Sequence, residues 1–190
     1  MDFHLDFTPR PFPVKINHPN KLMLMGSCFT ENIGDKLMVH KFSVLQNPNG
    51  ILFDPVSVCS SLQSYIENRQ YKEDDLFYLN ESWHNWQHHS RFSHPDKAAC
   101  LRMINESQAT AHEFLQKADW LIITLGSAFS YRLTEDSSFH TASLPANAAV
   151  ANCHKAAAQN FTKHLCSIDE IISMLDNTMH RLFLFNGKLK

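Results

Sequence analysis

Apolar and polar positions fall into short blocks along this chain, and the period changes from block to block. Lys21-Leu22-Met23-Leu24-Met25 is an apolar run closed by Gly26, the pattern of a buried strand. From Thr30 to Lys41, Ile33, Leu37 and Met38 recur at helical spacing, with Glu31 and Asp35 in the early turns. Phe42 to Leu45 reads as a second short strand, broken by Asn47-Pro48-Asn49-Gly50. Asp54-Pro55 then opens a helix, with Asp54 as N-cap and Pro55 at the first helical position. Its apolar residues Val58, Leu62, Tyr65 and Ile66 share one face. Residues 70–94 lose this order: an acidic Glu73-Asp74-Asp75 leads into Leu76-Phe77-Tyr78-Leu79 and a tract dense in Trp and His. That segment reads as an irregular insertion or a small hairpin.

Helical spacing returns from Pro95 to Lys117 through Leu101, Ile104, Ala111 and Leu115. Trp120 to Leu125 is the most strand-like run and ends at Gly126. Phe129 to Leu133 and Phe139 to Thr141 pattern as a hairpin. Ser167 to Leu175 reads as a helix, with Ser167 as N-cap and Glu170 in the capping-box position. Arg181-Leu182-Phe183-Leu184-Phe185 patterns as a last strand. Residues 1–20, with four prolines, read as an extended arm. Strands alternating with helices predict an α/β fold with a mostly parallel sheet covered on both faces. Ligands of such sheets bind beyond the carboxyl ends of the strands. Gly26, Gly50 and Gly126 each follow a strand there.

Composition narrows the class. A chain of 190 residues, 44% hydrophobic and 19% charged, suits one domain with a real core. A net charge of −2 without clustered Lys and Arg argues against a nucleic-acid partner. No apolar run reaches the ~20 residues that span a bilayer. The first residues lack a basic start and an apolar core, so no signal peptide is read and the expected location is cytoplasmic. The five cysteines, Cys28, Cys59, Cys100, Cys153 and Cys166, form no Cys-x-x-Cys pair, so neither a disulfide framework nor a zinc ribbon is expected. No cofactor motif stands out.

The chemistry concentrates at Gly26-Ser27-Cys28-Phe29. A serine between a strand and a helix presents its hydroxyl at the mouth of the sheet, and its own N–H at the helix start can hold an oxyanion. The plainer reading is a serine helix cap. Cys28 is a rival nucleophile whose pKa a helix N-terminus lowers; it also reads as a small buried hydrophobe.

These four residues resemble the signature of the GSCFA family, a branch of the SGNH (GDSL-like) hydrolase group, with Thr30 in the place of its alanine. Asn47-Pro48-Asn49-Gly50-Ile51-Leu52-Phe53-Asp54-Pro55, Trp120 to Ala128 and Val150-Ala151-Asn152-Cys153-His154-Lys155 resemble further blocks of that family, in order. The resemblance implies a three-layer α/β/α sandwich of flavodoxin-like type. It implies Ser27 as nucleophile and the N–H groups of Ser27 and Gly50 as oxyanion donors. The group's third block carries an Asn where this chain has Gly126-Ser127-Ala128, which leaves Asn152 or Ser127 to stand in. The group's C-terminal His base has no counterpart here, so a C-terminally incomplete member is expected, with His154 or His89 as substitute base. Asn49, Gly126, Ser127, Asn152 and His89 are the expected substrate contacts. His154 also reads as a structural loop histidine, and Asn152 as a satisfied loop amide.

The Trp83 to His94 tract, with four histidines and two tryptophans, has three readings: an aromatic cluster over the sheet edge, a sugar or acyl-ester contact, or a metal site. Its spacing matches no standard ligand set. The expected activity is hydrolysis or transfer of O-acyl esters, with a small-molecule or glycan ester as partner. The rival readings are a non-catalytic binding module and a Cys28 thiol function. An uncovered sheet edge would favour self-association.

Overall fold

The computed structural model describes residues 7, 8, 10, 13–142 and 144–190. Its elements, in order, are β1 (Lys21–Gly26), α1 (Cys28–Val39), β2 (Ser43–Gln46), α2 (Pro55–Ile66), β3 (Phe77–Leu79), β4 (Ser82–His84), α3 (Lys97–Lys117), β5 (Trp120–Thr124), β6 (Phe129–Leu133), β7 (Ala149–Val150), β8 (Phe161–Leu165) and α4 (Ile168–Phe185). The chain is α/β. β1 is the centre of a parallel sheet of order β2-β1-β5, with Leu22 opposite Val44 and Trp120, and Gly26 opposite Thr124.

Alternation along β1 sends its side chains to two different cores. Met23 and Met25, with Leu121 and Ile123, pack against Val58, Leu62 and Tyr65 of α2, Ala111 and Leu115 of α3, and Leu182 of α4. Leu22 and Leu24, with Trp120 and Ile122, pack against Ile33 and Leu37 of α1. One helix therefore covers one face and three cover the other, giving the three-layer sandwich. Leu62, Leu115 and Leu182 are fully buried, each worth about 1.5–3 kcal/mol of apolar transfer.

The helix starts follow from their caps. The Asp54 carboxylate accepts from Ser57 N–H at 2.9 Å, and Pro55 fills the first turn. Asp96 does the same for Ala99 N–H at 2.6 Å. Ser167 and Glu170 form the capping box, at 3.2 and 2.6 Å.

The insertion holds the small hairpin, β3 against β4. Its turn residues Asn80 and Glu81 have φ of 47° and 61°, the two left-handed positions of a tight hairpin turn. A separate antiparallel sheet, order β7-β6-β8, builds a second core from Phe77, Trp86, Leu133, Leu144 and Val150.

Two expectations are corrected. Residues 139–141 do not pair with β6; Thr141 makes only an isolated bridge to Leu144. The partners of β6 are β7 and β8, and the mixed polarity of Phe161-Thr162-Lys163-His164-Leu165 hid β8. Residues 181–185 are the end of α4 rather than a strand. Leu182 and Phe185, with Met179, face the core, whereas Phe183 and Leu184 are 51% and 76% exposed. A continuous apolar run thus conceals a helix with one face in and one face out. Much of the N-terminal arm, residues 1–6, 9, 11 and 12, lies outside the described residues; closer to β1, His18 stacks on Phe42 at 4.3 Å. β5 is an edge strand of the sheet. On its outer side Lys190 N–H donates to Asp119 O and Leu121 N–H donates to Lys190 O, both at 3.0 Å.

Candidate functional site

The site forms where β1 and β5 end. Gly26 has φ of +137°, and a Cβ there would lie 2.1 Å from Thr124 O. Only glycine lets the chain leave β1 so close to β5. Its N–H donates to Asn47 Oδ1 at 2.8 Å.

Ser27 takes the N-cap position of α1, but its side chain makes no capping bond. The plain cap reading therefore does not account for the hydroxyl. Ser27 Oγ lies 3.3 Å from Thr124 Oγ1. The Thr124 hydroxyl also accepts from Ser27 N–H at 3.2 Å and contacts the hydroxyl of Thr30, which is buried. The hydroxyl of Ser27 is thus presented at the start of a 12-residue helix, where the axial dipole favours negative charge. Cys28 is exposed beside it, rather than buried as a small hydrophobe.

The expected oxyanion donors are both engaged. Ser27 N–H is shared between Thr124 Oγ1 at 3.2 Å and Thr124 O at 3.3 Å, long for N–H···O bonds. Gly50 N–H donates to Asn47 O at 2.7 Å. Gly50, at φ +86°, packs so close to His89 that a Cβ would lie 2.2 Å from His89 Cβ. Asn47 ties the turns together. Its Oδ1 holds Gly26, its Nδ2 donates to Glu31 Oε1 at 3.2 Å, and Glu31 pairs with Arg91.

A cavity of about 260 Å³ opens at this edge, lined by His89, Asn152, Asp54, Phe53, Tyr131 and Val150 among others. The structure thus brings together His89 and Asn152 of the expected contacts. Gly126 borders it through Phe53, donating its N–H to Phe53 O at 2.9 Å. His89 Nδ1 accepts from Arg91 N–H at 3.2 Å, so its neutral ring carries the proton on Nε2. Burial first, then Arg91, holds its pKa below the ordinary 6.5. Burial also raises Asp54 above the usual carboxylate value.

The remaining expected residues face other partners. Ser127 Oγ accepts from Phe129 N–H at 3.0 Å, an ordinary loop bond. Asn49 is buried and turned inward, donating Nδ2 to Ser61 Oγ at 3.2 Å and to Gln87 O at 3.3 Å. Asn152 Oδ1 accepts from His154 N–H at 2.7 Å. His154 sits in the second core. Its Nε2–H donates to Asn85 O at 2.9 Å, and its Nδ1 lies 3.2 Å from His84 Nδ1. Burial, then His84, pushes its pKa down to about 4. No hydrogen bond joins His154 to Ser27 among the described residues, so its geometry matches the structural reading.

The His/Trp tract divides likewise. Trp86 stacks on Phe77 at 3.7 Å. His88 is fully buried, and burial pushes its pKa down to about 3. Among the described residues, no three His, Cys, Asp or Glu side chains come together to hold a metal, and no helix is long and apolar enough to cross a membrane. Sequence reasoning missed Thr124, Thr30, Asn47 and the Glu31–Arg91 pair. Thr30, Asn47 and Thr124 stood out only as members of the family-like blocks, and the Glu31–Arg91 pair not at all, because each acts through a long-range contact.

A parallel sheet with a small-residue turn and an uncapping serine at its carboxyl edge defines an α/β protein with a candidate nucleophile site. The family model of the GSCFA family matches residues 21–190, and the chain belongs to that family. Comparison with curated proteins and with solved structures gave no match.

Proposed function

We propose that this chain is a serine ester hydrolase of the SGNH type, acting on O-acyl esters with Ser27 as nucleophile. The observation that carries this reading is the Ser27 hydroxyl, which stands at a helix N-cap without capping and has the Thr124 hydroxyl as its polar neighbour. Ser27 Oγ attacks the ester carbonyl and gives its proton to a base. The carbonyl electrons move onto oxygen, and the helix start and the loosely bonded Ser27 N–H stabilise that charge. Collapse expels the alcohol, which takes up the proton. Water then cleaves the acyl-enzyme by the same route and releases the acid. The cavity beside the site, walled by Phe53, Tyr131 and Val150, suits a short acyl group, and a glycan is one carrier of such esters. Ser27-dependent hydrolysis of p-nitrophenyl acetate tests the proposal.

His89 is the proposed base, because it stands on the cavity wall against Gly50; it takes the proton on Nδ1, the unprotonated nitrogen, giving up the 3.2 Å bond from Arg91 N–H. A base must be neutral, and its depressed pKa keeps it neutral at pH 7. The rate should therefore fall towards acid pH with a midpoint below the 6.5 of an ordinary histidine and be level in the alkaline range. His89→Gln should lower kcat by ~10²–10⁴-fold. A profile that still climbs above pH 8, or a His89→Gln variant at full rate, removes His89 from this role.

A second reading is a non-catalytic binding site. It is favoured by the fact that, among the described residues, no imidazole or carboxylate hydrogen-bonds to Ser27 Oγ, whose partner is a hydroxyl.

A further inference from the structure

The Ser27 turn and the His89 loop come from distant parts of the chain, and one carboxylate joins them. Glu31 lies one turn into α1 from Ser27. Its Oε1 accepts from Asn47 Nδ2 at 3.2 Å and from Arg91 Nη2. The Asn47 amide is oriented by a group that can only donate, because its Oδ1 accepts Gly26 N–H at 2.8 Å. Nδ2 is therefore the end that meets Glu31. On the other side, Arg91 N–H donates to His89 Nδ1 at 3.2 Å, and His89 N–H donates to Asn49 O at 2.8 Å. A continuous line of contacts thus runs from Gly26 through Asn47, Glu31 and Arg91 to His89. Gly50 sits against it, since a Cβ there would lie 2.2 Å from His89 Cβ and 3.2 Å from Arg91 Nε.

An exposed ion pair adds little stability, and the Arg91 and Glu31 side chains are 41% and 24% exposed. What this pair supplies is position and charge. Burial most strongly disfavours a proton on the His89 ring; Arg91 disfavours it further, and Glu31 favours it. The other titratable groups around the ring are His154 and Asp54. Burial holds His154 neutral, with its pKa at about 4. Asp54 shares the cavity wall and is bonded to Ser57 N–H at 2.9 Å; burial raises its pKa. Arg91 and Glu31 are thus the opposed charges beside the ring. Losing one leaves the other uncompensated, with opposite consequences for the imidazole.

We propose that Glu31 and Arg91 are positioning residues for His89: together they tie its loop to the Ser27 turn and set the charge that its ring faces. The catalytic half of this proposal rests on the reading of Ser27 and His89 as nucleophile and base. The charge half does not.

The test is an NMR pH titration of the His89 ring in the whole chain, its resonances identified by their loss in His89→Gln. Glu31→Gln keeps an oxygen for Asn47 and Arg91 but removes the charge, so the His89 midpoint should move down. Arg91→Gln should move it up, and Arg91→Lys, which keeps the charge, should stay near the parent chain. A pair that only packed the loop would, once broken, admit water to the ring and raise the midpoint in both Gln variants. Midpoints that rise together, or that do not move, overturn the proposal.

Hydrolysis of p-nitrophenyl acetate reads the catalytic half. Glu31→Ala cuts the tie as well as the charge. It should lower the plateau kcat by ~10²-fold, the cost of a 1 Å misplacement, with KM nearly unchanged. A Glu31→Ala plateau at the full rate overturns the positioning role. The acid limb of kcat should follow the NMR midpoints in order. Midpoints that move as stated, beside an acid limb that does not follow, support the charge assignment and remove His89 as base. The NMR arm needs no activity, so it decides the charge half even if Ser27 hydrolyses nothing.

Discussion

Ser27→Ala should abolish measurable hydrolysis of p-nitrophenyl acetate, a loss of at least ~10³-fold. The size of the effect follows from what the hydroxyl supplies. Covalent catalysis splits one hard step into two easier ones, and the hydroxyl removed is the proposed nucleophile; a rate that survives would point to the exposed Cys28 thiol beside it. The helix start and any remaining oxyanion donors persist in the variant. Without a nucleophile they leave only the residual acceleration seen when such constellations are broken. Folding should be untouched, because Ser27 Oγ makes no capping bond and, among the described residues, its side-chain hydrogen bond is a 3.3 Å approach to Thr124 Oγ1. The thermal midpoint should stay within about 2 °C, the shift of a substitution worth under ~0.5 kcal/mol. Loss of rate with an unchanged midpoint is the signature of a nucleophile; equal rates in both proteins remove Ser27 from that role.

The largest stability effect is expected at Gly26→Ala, with a cost of about 3–5 kcal/mol from two additive causes. The position has φ of +137°, and an L-residue held in a sparsely populated region costs of order 1–3 kcal/mol. The new Cβ would meet Thr124 O at 2.1 Å. That oxygen belongs to the backbone of β5, so relief requires parting β1 from β5, and overpacking of this kind costs typically 1–3 kcal/mol. Against a total stability of about 5–15 kcal/mol, the urea midpoint should drop by about a fifth or more. Gly126→Ala is the matched control. Its Cβ would meet Phe53 at an ordinary 3.4 Å with no left-handed φ, so its cost should stay below about 1 kcal/mol. If the two variants melt alike, the close passage of β1 past β5 is not what holds the turn.

Legibility in the sequence tracked the range of the interaction. β1, α1, α2 and the start of α4 could be read because their signals are local: an apolar run ended by Gly26, the Asp54-Pro55 entry, the Ser167–Glu170 box. The end of α4 could not, because Arg181 to Phe185 shows no period in five residues, and only the core against α2 decides that Leu182 points in. β8 escaped for the converse reason, since Thr162, Lys163 and His164 carry no apolar alternation and its pairing with β6 crosses about thirty residues.

At the candidate site, Ser27 was legible from its place between strand and helix. Thr124 and Asn47 were not, although one touches the serine's hydroxyl and the other holds Gly26. Both act across roughly twenty to a hundred residues of chain, a distance no spacing rule reaches. His154 attracted attention because it follows Cys153 in a family block, yet burial commits both of its ring nitrogens to the second core. His89, two residues from Arg91 and packed on Gly50, is the histidine that reaches the cavity.

The proposed hydrolase needs an activated hydroxyl at Ser27, and covalent labelling reads that reactivity directly. The intact chain is treated with a fluorophosphonate at neutral pH, and the adduct is located by peptide mass spectrometry. The expected result is a single phosphonyl group on Ser27, formed by loss of fluoride, and no adduct in Ser27→Ala. An unlabelled chain, or a label carried by another residue while Ser27 stays free, contradicts it.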